Sequence, residues 1–332
     1  MDLRPLGMGE LVDRSASLWR RNVGGLFKIH LGFALALYAL AKGLLLGIAR
    51  WAPLFRGGAA MATALNQRSG EMERQLPVML GMSGAFFLAY TWVNWQGWVA
   101  ASDYAIGAWL GRPVSVEGSL RRALRRTGAS TGALVIATLY AVAAITVLML
   151  PGMAAIVLVA VVAPGPAAAA VLAAGGAALI GFGMLAAMVW CLLRFLFTCQ
   201  VLAMEDVGGL QAIRRSGALI SGRVGPGFFG WVKVRATVLV TVVALLVFTV
   251  LIVSGLPAMV VQGVYGNAFD PLHATPDAVP QALLVPAELL QVVVQSLFSP
   301  LYIVFAGLFY ADMRVRREGL DLELALDREE KA

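Results

Sequence analysis

Charge is scarce in this chain. Only 14% of its 332 residues are charged, against about 25% in an ordinary soluble domain. Cysteine and histidine are nearly absent, at two each. Cys191 and Cys199 fall inside one apolar run and cannot build a disulfide framework. His30 and His273 stand far apart, and no Cys/His/carboxylate group has metal-ligand spacing, so no metal or other cofactor is expected. Nucleophile elbow, P-loop, HExxH and paired-carboxylate motifs are all missing, and no enzyme is expected. Gly24-Gly25, Gly175-Gly176 and Gly208-Gly209 lack the strand–turn–helix context of a nucleotide site. Acidic residues are the scarcer sign, 19 against 26 lysines and arginines, for a net charge of +7. Because those cations sit beside apolar runs, they read as topology signals and anionic-lipid contacts rather than a nucleic-acid surface.

Apolar residues are what the chain has in excess: 60% of the total, with a mean hydropathy of +0.80. They fall in runs of spanning length, since a bilayer core about 30 Å thick needs about 20 helical residues. Six spans are predicted, near 25–49, 77–110, 129–162, 168–204, 229–256 and 283–313. The expected fold is all-α, a polytopic transmembrane helix bundle. Pro151-Gly152 interrupts the third span; the piece after it is too short to cross alone, so one kinked helix is expected. Ala163-Pro164-Gly165-Pro166 reads as a tight turn. The opening residues are mixed and amphipathic rather than signal-like, and the first span is expected to be retained.

The cations fix an orientation. Flanks on one side carry Arg4, Arg14, Arg20, Arg21, Lys28, Arg112, Arg121, Arg122, Arg125, Arg126, Arg214, Arg215, Arg223, Lys233, Arg235, Arg314, Arg316, Arg317, Arg328 and Lys331. The opposite loops hold only Arg50, Arg56, Arg68 and Arg74. The positive-inside rule then places both ends in the cytoplasm. A pattern also recurs before each odd-numbered span: Leu18-Trp19-Arg20-Arg21-Asn22, Leu124-Arg125-Arg126-Thr127 and Ile213-Arg214-Arg215-Ser216. It divides a single membrane domain, 1–332, into three candidate units of common polarity, 1–110, 111–205 and 206–315, followed by an acidic tail at 316–332. Basic anchors without a repeat would give the same pairs. The first unit opens with Met8, Leu11, Val12, Ser15, Leu18 and Trp19 on one helical face and Glu10, Asp13, Arg14, Ser17, Arg20 and Arg21 on the other. That is the pattern of a cytoplasmic-side interfacial helix lying in the headgroup plane. In the tail, Leu320, Leu322, Leu324 and Leu326 alternate with Asp321, Glu323 and Asp327, a period of two that suggests an extended segment, a helix being the alternative.

Three stretches carry a family resemblance: Leu3-Arg4-Pro5-Leu6-Gly7-Met8-Gly9-Glu10-Leu11-Val12-Asp13-Arg14 with Leu18 to Asn22; Arg194 through Glu205 to Ser216; and Phe309-Tyr310-Ala311-Asp312-Met313-Arg314-Val315-Arg316-Arg317 through Leu324. The chain resembles bacterial proteins named for the glycerophosphoryl diester phosphodiesterase membrane domain. The resemblance implies an integral protein of a bacterial cytoplasmic (inner) membrane. It does not imply the hydrolase, because no soluble stretch here could hold a barrel of about 250 residues.

Polar residues within spans are the candidate sites. On the last span Glu288, Gln291, Gln295, Ser299 and Tyr302 fall in a stripe about 80° wide at 100° per residue. With Asn94 and Gln96 of the second span they would line a polar cavity, or else make interhelical hydrogen bonds. Trp92, Trp95 and Trp98 would pack beside them. Asp103 and Arg194 are a candidate buried ion pair, unless Arg194 snorkels and Asp103 already reaches water. Lys42 is expected to snorkel at the outer end. Ala39, Gly43 and Gly47 form a small-residue stripe suited to helix contact. Arg20, Arg21, Arg125, Arg126, Arg214 and Arg215 are the expected lipid-facing cations. The functional expectation is a non-catalytic membrane scaffold or accessory subunit. Its partners would be anionic lipid headgroups and a membrane protein or second copy. Alternatives are a transporter or lipid-handling protein with a polar path along the last span, and, least favoured, an intramembrane lipid enzyme.

Overall fold

A computed structural model describes residues 4–56, 70–162, 165–266, 278–320 and 322. His273, Arg68, the turn residues Ala163 and Pro164, and the tail beyond Leu322 lie outside the described residues. The fold is all-α: the described residues contain no strand, only an isolated antiparallel bridge between Arg223 and Trp231. The helices are α1 (Met8–Trp51), α2 (Gly70–Trp109), α3 (Val116–Arg125), α4 (Thr127–Val162) and α5 (Pro166–Phe195). They continue with α6 (Thr198–Met204), α7 (Gly209–Ile220), α8 (Val232–Gly266), α9 (Gln281–Phe298) and α10 (Pro300–Glu318). Among the described residues, six helical segments are long and apolar enough to cross a membrane: α1, α2, α4, α5 with α6, α8, and α9 with α10. Their flanks leave large apolar side chains uncovered, among them Leu46, Val161, Val171 and Phe182. Long apolar helices with bare faces and internally satisfied backbones are what lipid selects.

The first span differs from its expected form. Its amphipathic start is not a separate helix, because α1 runs unbroken for 44 residues, whereas α3 and α7 are separate short helices ahead of the third and fifth spans. At about 1.5 Å per residue it reaches roughly 66 Å, twice a hydrocarbon core. Its amphipathic first turns carry straight into the apolar span. Ser15 donates to the Leu11 carbonyl at 2.6 Å, Asn22 donates to the Leu18 carbonyl at 2.9 Å, and Glu10 pairs with Arg14 at 2.6 Å. Nothing in Gly24-Gly25 breaks it, since Gly25 is where the Tyr104 ring approaches. As expected, α4 is one helix with Pro151 inside it. The fourth span is instead interrupted at Leu196-Phe197, and the last at Ser299, because Pro300 has no amide hydrogen to continue the ladder.

The chain sorts into two compact units, each described by itself. The first comprises Leu6–Leu124 and Val240–Phe309, the second chiefly Arg125–Leu239 and the chain from Tyr310. These divisions fall inside the second and third candidate repeats. In the first unit α1 and α2 pack antiparallel, with Gly25 facing Tyr104, Phe33 facing Gly97, and Gly47 facing Met82. Of the small-residue stripe only Gly47 is buried; Ala39 and Gly43 are exposed. α9 lies against α1: the Trp19 indole donates to the Leu297 carbonyl at 3.1 Å and stacks on Phe298 at 5.6 Å. The α10 residue Gly307 meets Ile106 of α2.

In the second unit α4 and α5 approach through backbone. Gly152 lies against the Gly176 carbonyl, and Gly183 against the Leu148 carbonyl. α6 is buried from Thr198 to Ala203. α7 starts where Gly209 meets the α4 backbone at Ala129 and Ala133. Ser216 of α7 locks the break in the fourth span, donating to the Arg194 carbonyl at 2.8 Å and accepting from the Phe197 amide at 3.1 Å.

A Cβ at position 183 would stand 2.2 Å from the Leu148 carbonyl oxygen, whereas at Gly181 it would meet nothing within 4 Å. Gly183→Val is therefore expected to destabilise the α4–α5 pair by about 1–3 kcal/mol, read as a lowered melting temperature in detergent. Gly181→Val is the control that leaves it unchanged.

Candidate functional site

The chemistry of this chain concentrates where helices end in carboxylates. α2 carries Asp103 near its C-terminal end, and the following helix α3 supplies its partners. Ser119 donates to Asp103 at 2.8 Å, and the Arg122 guanidinium stands 3.4 Å away. Asp103 thus takes its cation, Arg122, from within the first unit. Arg122 lies only 19 positions along the chain, on a short helix that turns back beside α2. Arg194 rests over the Tyr140 ring, 4.9 Å from its centroid.

The fourth span ends in Glu205, and the same logic recurs with more partners. The Tyr310 hydroxyl donates to Glu205 at 2.7 Å, and Arg215 forms an ion pair with it. Arg215 also reaches Glu318 at 2.7 Å, which Arg314 holds at 2.9 Å. Arg126 gathers the backbone beside it, donating to the Glu205 and Val207 carbonyls at 2.7 and 2.8 Å and lying 3.3 Å from the Asp206 carboxylate. Arg317 donates to the Ala218 carbonyl at 2.7 Å and to the Ser221 carbonyl, at the end of α7 where the last carbonyls have no amide of a further helical turn. Burial works to lower the pKa of Arg215, but the hydrogen bond and charge of Glu205, aided by Glu318 and Tyr310, raise it above the ordinary arginine value.

The last span ends near Asp312, whose side chain is 0% exposed. Arg316 donates from Nε to both of its oxygens at 3.0 Å, and Arg235, 8% exposed, stands at 3.4 Å. Such a group must be paired, because a bare carboxylate in apolar surroundings costs several kcal/mol.

These pairs split the expected lipid-facing arginines. Arg20, Arg21, Arg125 and Arg214 are exposed. Arg126 and Arg215 are not lipid-facing: each double arginine of the second unit sends its first member outward and its second into the Glu205 cluster.

The polar stripe of the last span meets several neighbours. Glu288 accepts from Tyr38 at 2.9 Å and pairs with Lys42 at 2.5 Å, so Lys42 is held by a carboxylate rather than snorkelling free. Gln291 lies beside Gly255 of α8. Gln295 and Ser299 form the last turn of α9, the Ser299 amide donating to the Gln295 carbonyl at 2.8 Å. Tyr302 packs its ring 6.2 Å from Trp98. Asn94 is half-buried, whereas Gln96 is 3% exposed and both its amide atoms lack a hydrogen-bond partner. The Trp95 indole nitrogen is buried and unpartnered as well.

Among the described residues no three of His, Cys, Asp and Glu gather as a metal site would require. Glu205, Tyr310, Asp312 and Arg235 were not singled out as site residues by sequence reasoning. The signal that finds them is a carboxylate closing each even-numbered span shortly before or within an arginine-rich stretch. Taken together, the arrangement neutralises charge and ties helix ends. The chain was compared with protein families, with curated proteins and with solved structures, and none matches.

Removing the Asp312 carboxylate leaves Arg235 buried without its anion. Asp312→Asn should cost about 3–5 kcal/mol, measured by denaturant unfolding in detergent. Asp206, 83% exposed in its pair with Arg126, is the contrast: Asp206→Asn should cost under about 1 kcal/mol.

Proposed function

We propose that this protein is a non-catalytic scaffold or accessory subunit of a bacterial cytoplasmic membrane, with both termini cytoplasmic and a basic inner face against anionic lipid. One observation carries the reading. Arg20, Arg21, Arg125 and Arg214 stay exposed, whereas Arg126 and Arg215, the second arginines of the other two pairs, are neutralised within the protein. Unneutralised cations at the ends of apolar spans attract anionic headgroups, at about 1 kcal/mol for each Lys or Arg near the surface. The excess of cations on one set of flanks supports the orientation. The carboxylates Asp103, Glu205 and Asp312, one at the end of each even-numbered span, support a threefold repeat. The resemblance to the membrane-domain family supports the bacterial setting. The partners this reading names are anionic lipids and a membrane protein or second copy.

A second reading, transport or lipid handling along the last span, is favoured by Gln96, a buried amide without a partner. Two measurements separate the readings. Phospholipid retained by the chain on purification in mild detergent should be enriched in anionic species over the bulk membrane. The Arg20→Gln, Arg21→Gln, Arg125→Gln, Arg214→Gln variant should lose most of that enrichment. In proteoliposomes the wild-type chain should pass no solute above the rate of empty vesicles. Unchanged lipid composition in the variant, together with substrate-dependent flux, would replace the scaffold reading with transport.

A further inference from the structure

Within the second unit no described carboxylate lies against Arg194, and its Nε is buried without a hydrogen-bond partner. The guanidinium is held between the Tyr140 ring on α4 and Gly217 of α7, whose Cβ position stands 3.8 Å from one terminal nitrogen. One turn earlier on α5, Trp190 donates to the Tyr140 hydroxyl at 2.9 Å. A second cation lies against the same pair: the Lys233 ammonium is 5.8 Å from the centre of the Trp190 ring, again with no described carboxylate of the second unit beside it. Two cations from α5 and α8 thus flank one hydrogen-bonded Trp–Tyr pair, all within the second unit. Trp190 is 54% exposed, and Met188 and Leu192 beside it are exposed too.

Aromatic faces orient a cation, but they do not replace a counter-ion. A positive charge at the border of an apolar flank calls for an anion reachable from that border, and one that carries its own apolar tail also covers the exposed Trp190, Met188 and Leu192. We propose that Arg194 and Lys233 hold the phosphate of one anionic phospholipid against the Trp190–Tyr140 pair, with its acyl chains along α5. The arginine supplies a fork of donors matched to phosphate oxygens, and the lysine a point charge. This deepens the reading of a lipid-contacting basic face by giving it one specific site.

The test is native mass spectrometry of the full chain in detergent, titrated with phosphatidylglycerol, with phosphatidylcholine of the same acyl chains, or with inorganic phosphate. One phosphatidylglycerol adduct should form at a concentration at least about fivefold lower than the phosphatidylcholine adduct. Lys233→Gln, at an exposed position that leaves the fold intact, should weaken it about fivefold. Arg194→Gln with Lys233→Gln should abolish the preference, while Arg20→Gln with Arg21→Gln should leave this adduct unchanged. Equal binding of phosphatidylcholine overturns the proposal, as does an adduct indifferent to both site variants. Displacement by millimolar inorganic phosphate overturns the lipid as its source. If anionic lipid is retained overall but ignores Arg194 and Lys233, the site fails and the basic-face reading stands.

Discussion

A carboxylate that enters an apolar bundle must bring its cation with it, and this structure is arranged around that demand. Asp103, Glu205 and Asp312 each close a span, and each is met by arginine within its own unit. The partners come from different places: the next helix for Asp103, both α7 and the α10 tyrosine for Glu205, the same helix and α8 for Asp312. Each pairing ties a short or terminal helix to a span. Lipid-facing surfaces cannot supply such ties, because apolar side chains gain little by leaving lipid for protein. Close backbone approach at Gly152, Gly176 and Gly183 supplies packing, and the ion pairs supply register.

The same demand organises another part of the first unit. Lys42 and Glu288 are single charges on different spans, and each would be costly alone. Joined at 2.5 Å, with Tyr38 donating to the same carboxylate, they link α1 to α9. Trp19 fastens the same two helices nearer the Pro300 break. The helices that cross the apolar layer are therefore held at charged points near their ends and by small residues between them.

Much of the fold was legible in the sequence. Hydropathy alone locates the spans, because a run of 20 apolar residues has few other uses, and the third span is one helix through Pro151. Element ends were less legible. The amphipathic start of α1 looked separable, yet a helix continues wherever no residue stops it, and Gly25 was needed for Tyr104 rather than for a break. Ion partners were the least legible. Asp103 and Arg194 were matched because both lay in apolar runs, while Arg122 looked like one more surface cation. Arg126 and Arg215 read as lipid-facing for the same reason; their carboxylate and carbonyl partners are fixed only by folding. Charge in a sequence tells which side of a membrane a loop prefers, but not which arginine of a pair turns inward.

The coupling between Glu205 and Arg215 carries internal charge neutralisation most directly. A double-mutant cycle with Glu205→Gln, Arg215→Gln and the combined variant, read by unfolding in detergent, measures it. Residues in one ion-pair network couple by about 0.5–3 kcal/mol, and the structure predicts a coupling of about 1 kcal/mol or more that persists in high salt. Additive effects, with a coupling near zero, would contradict the claim that internal charge neutralisation holds the helix ends in place.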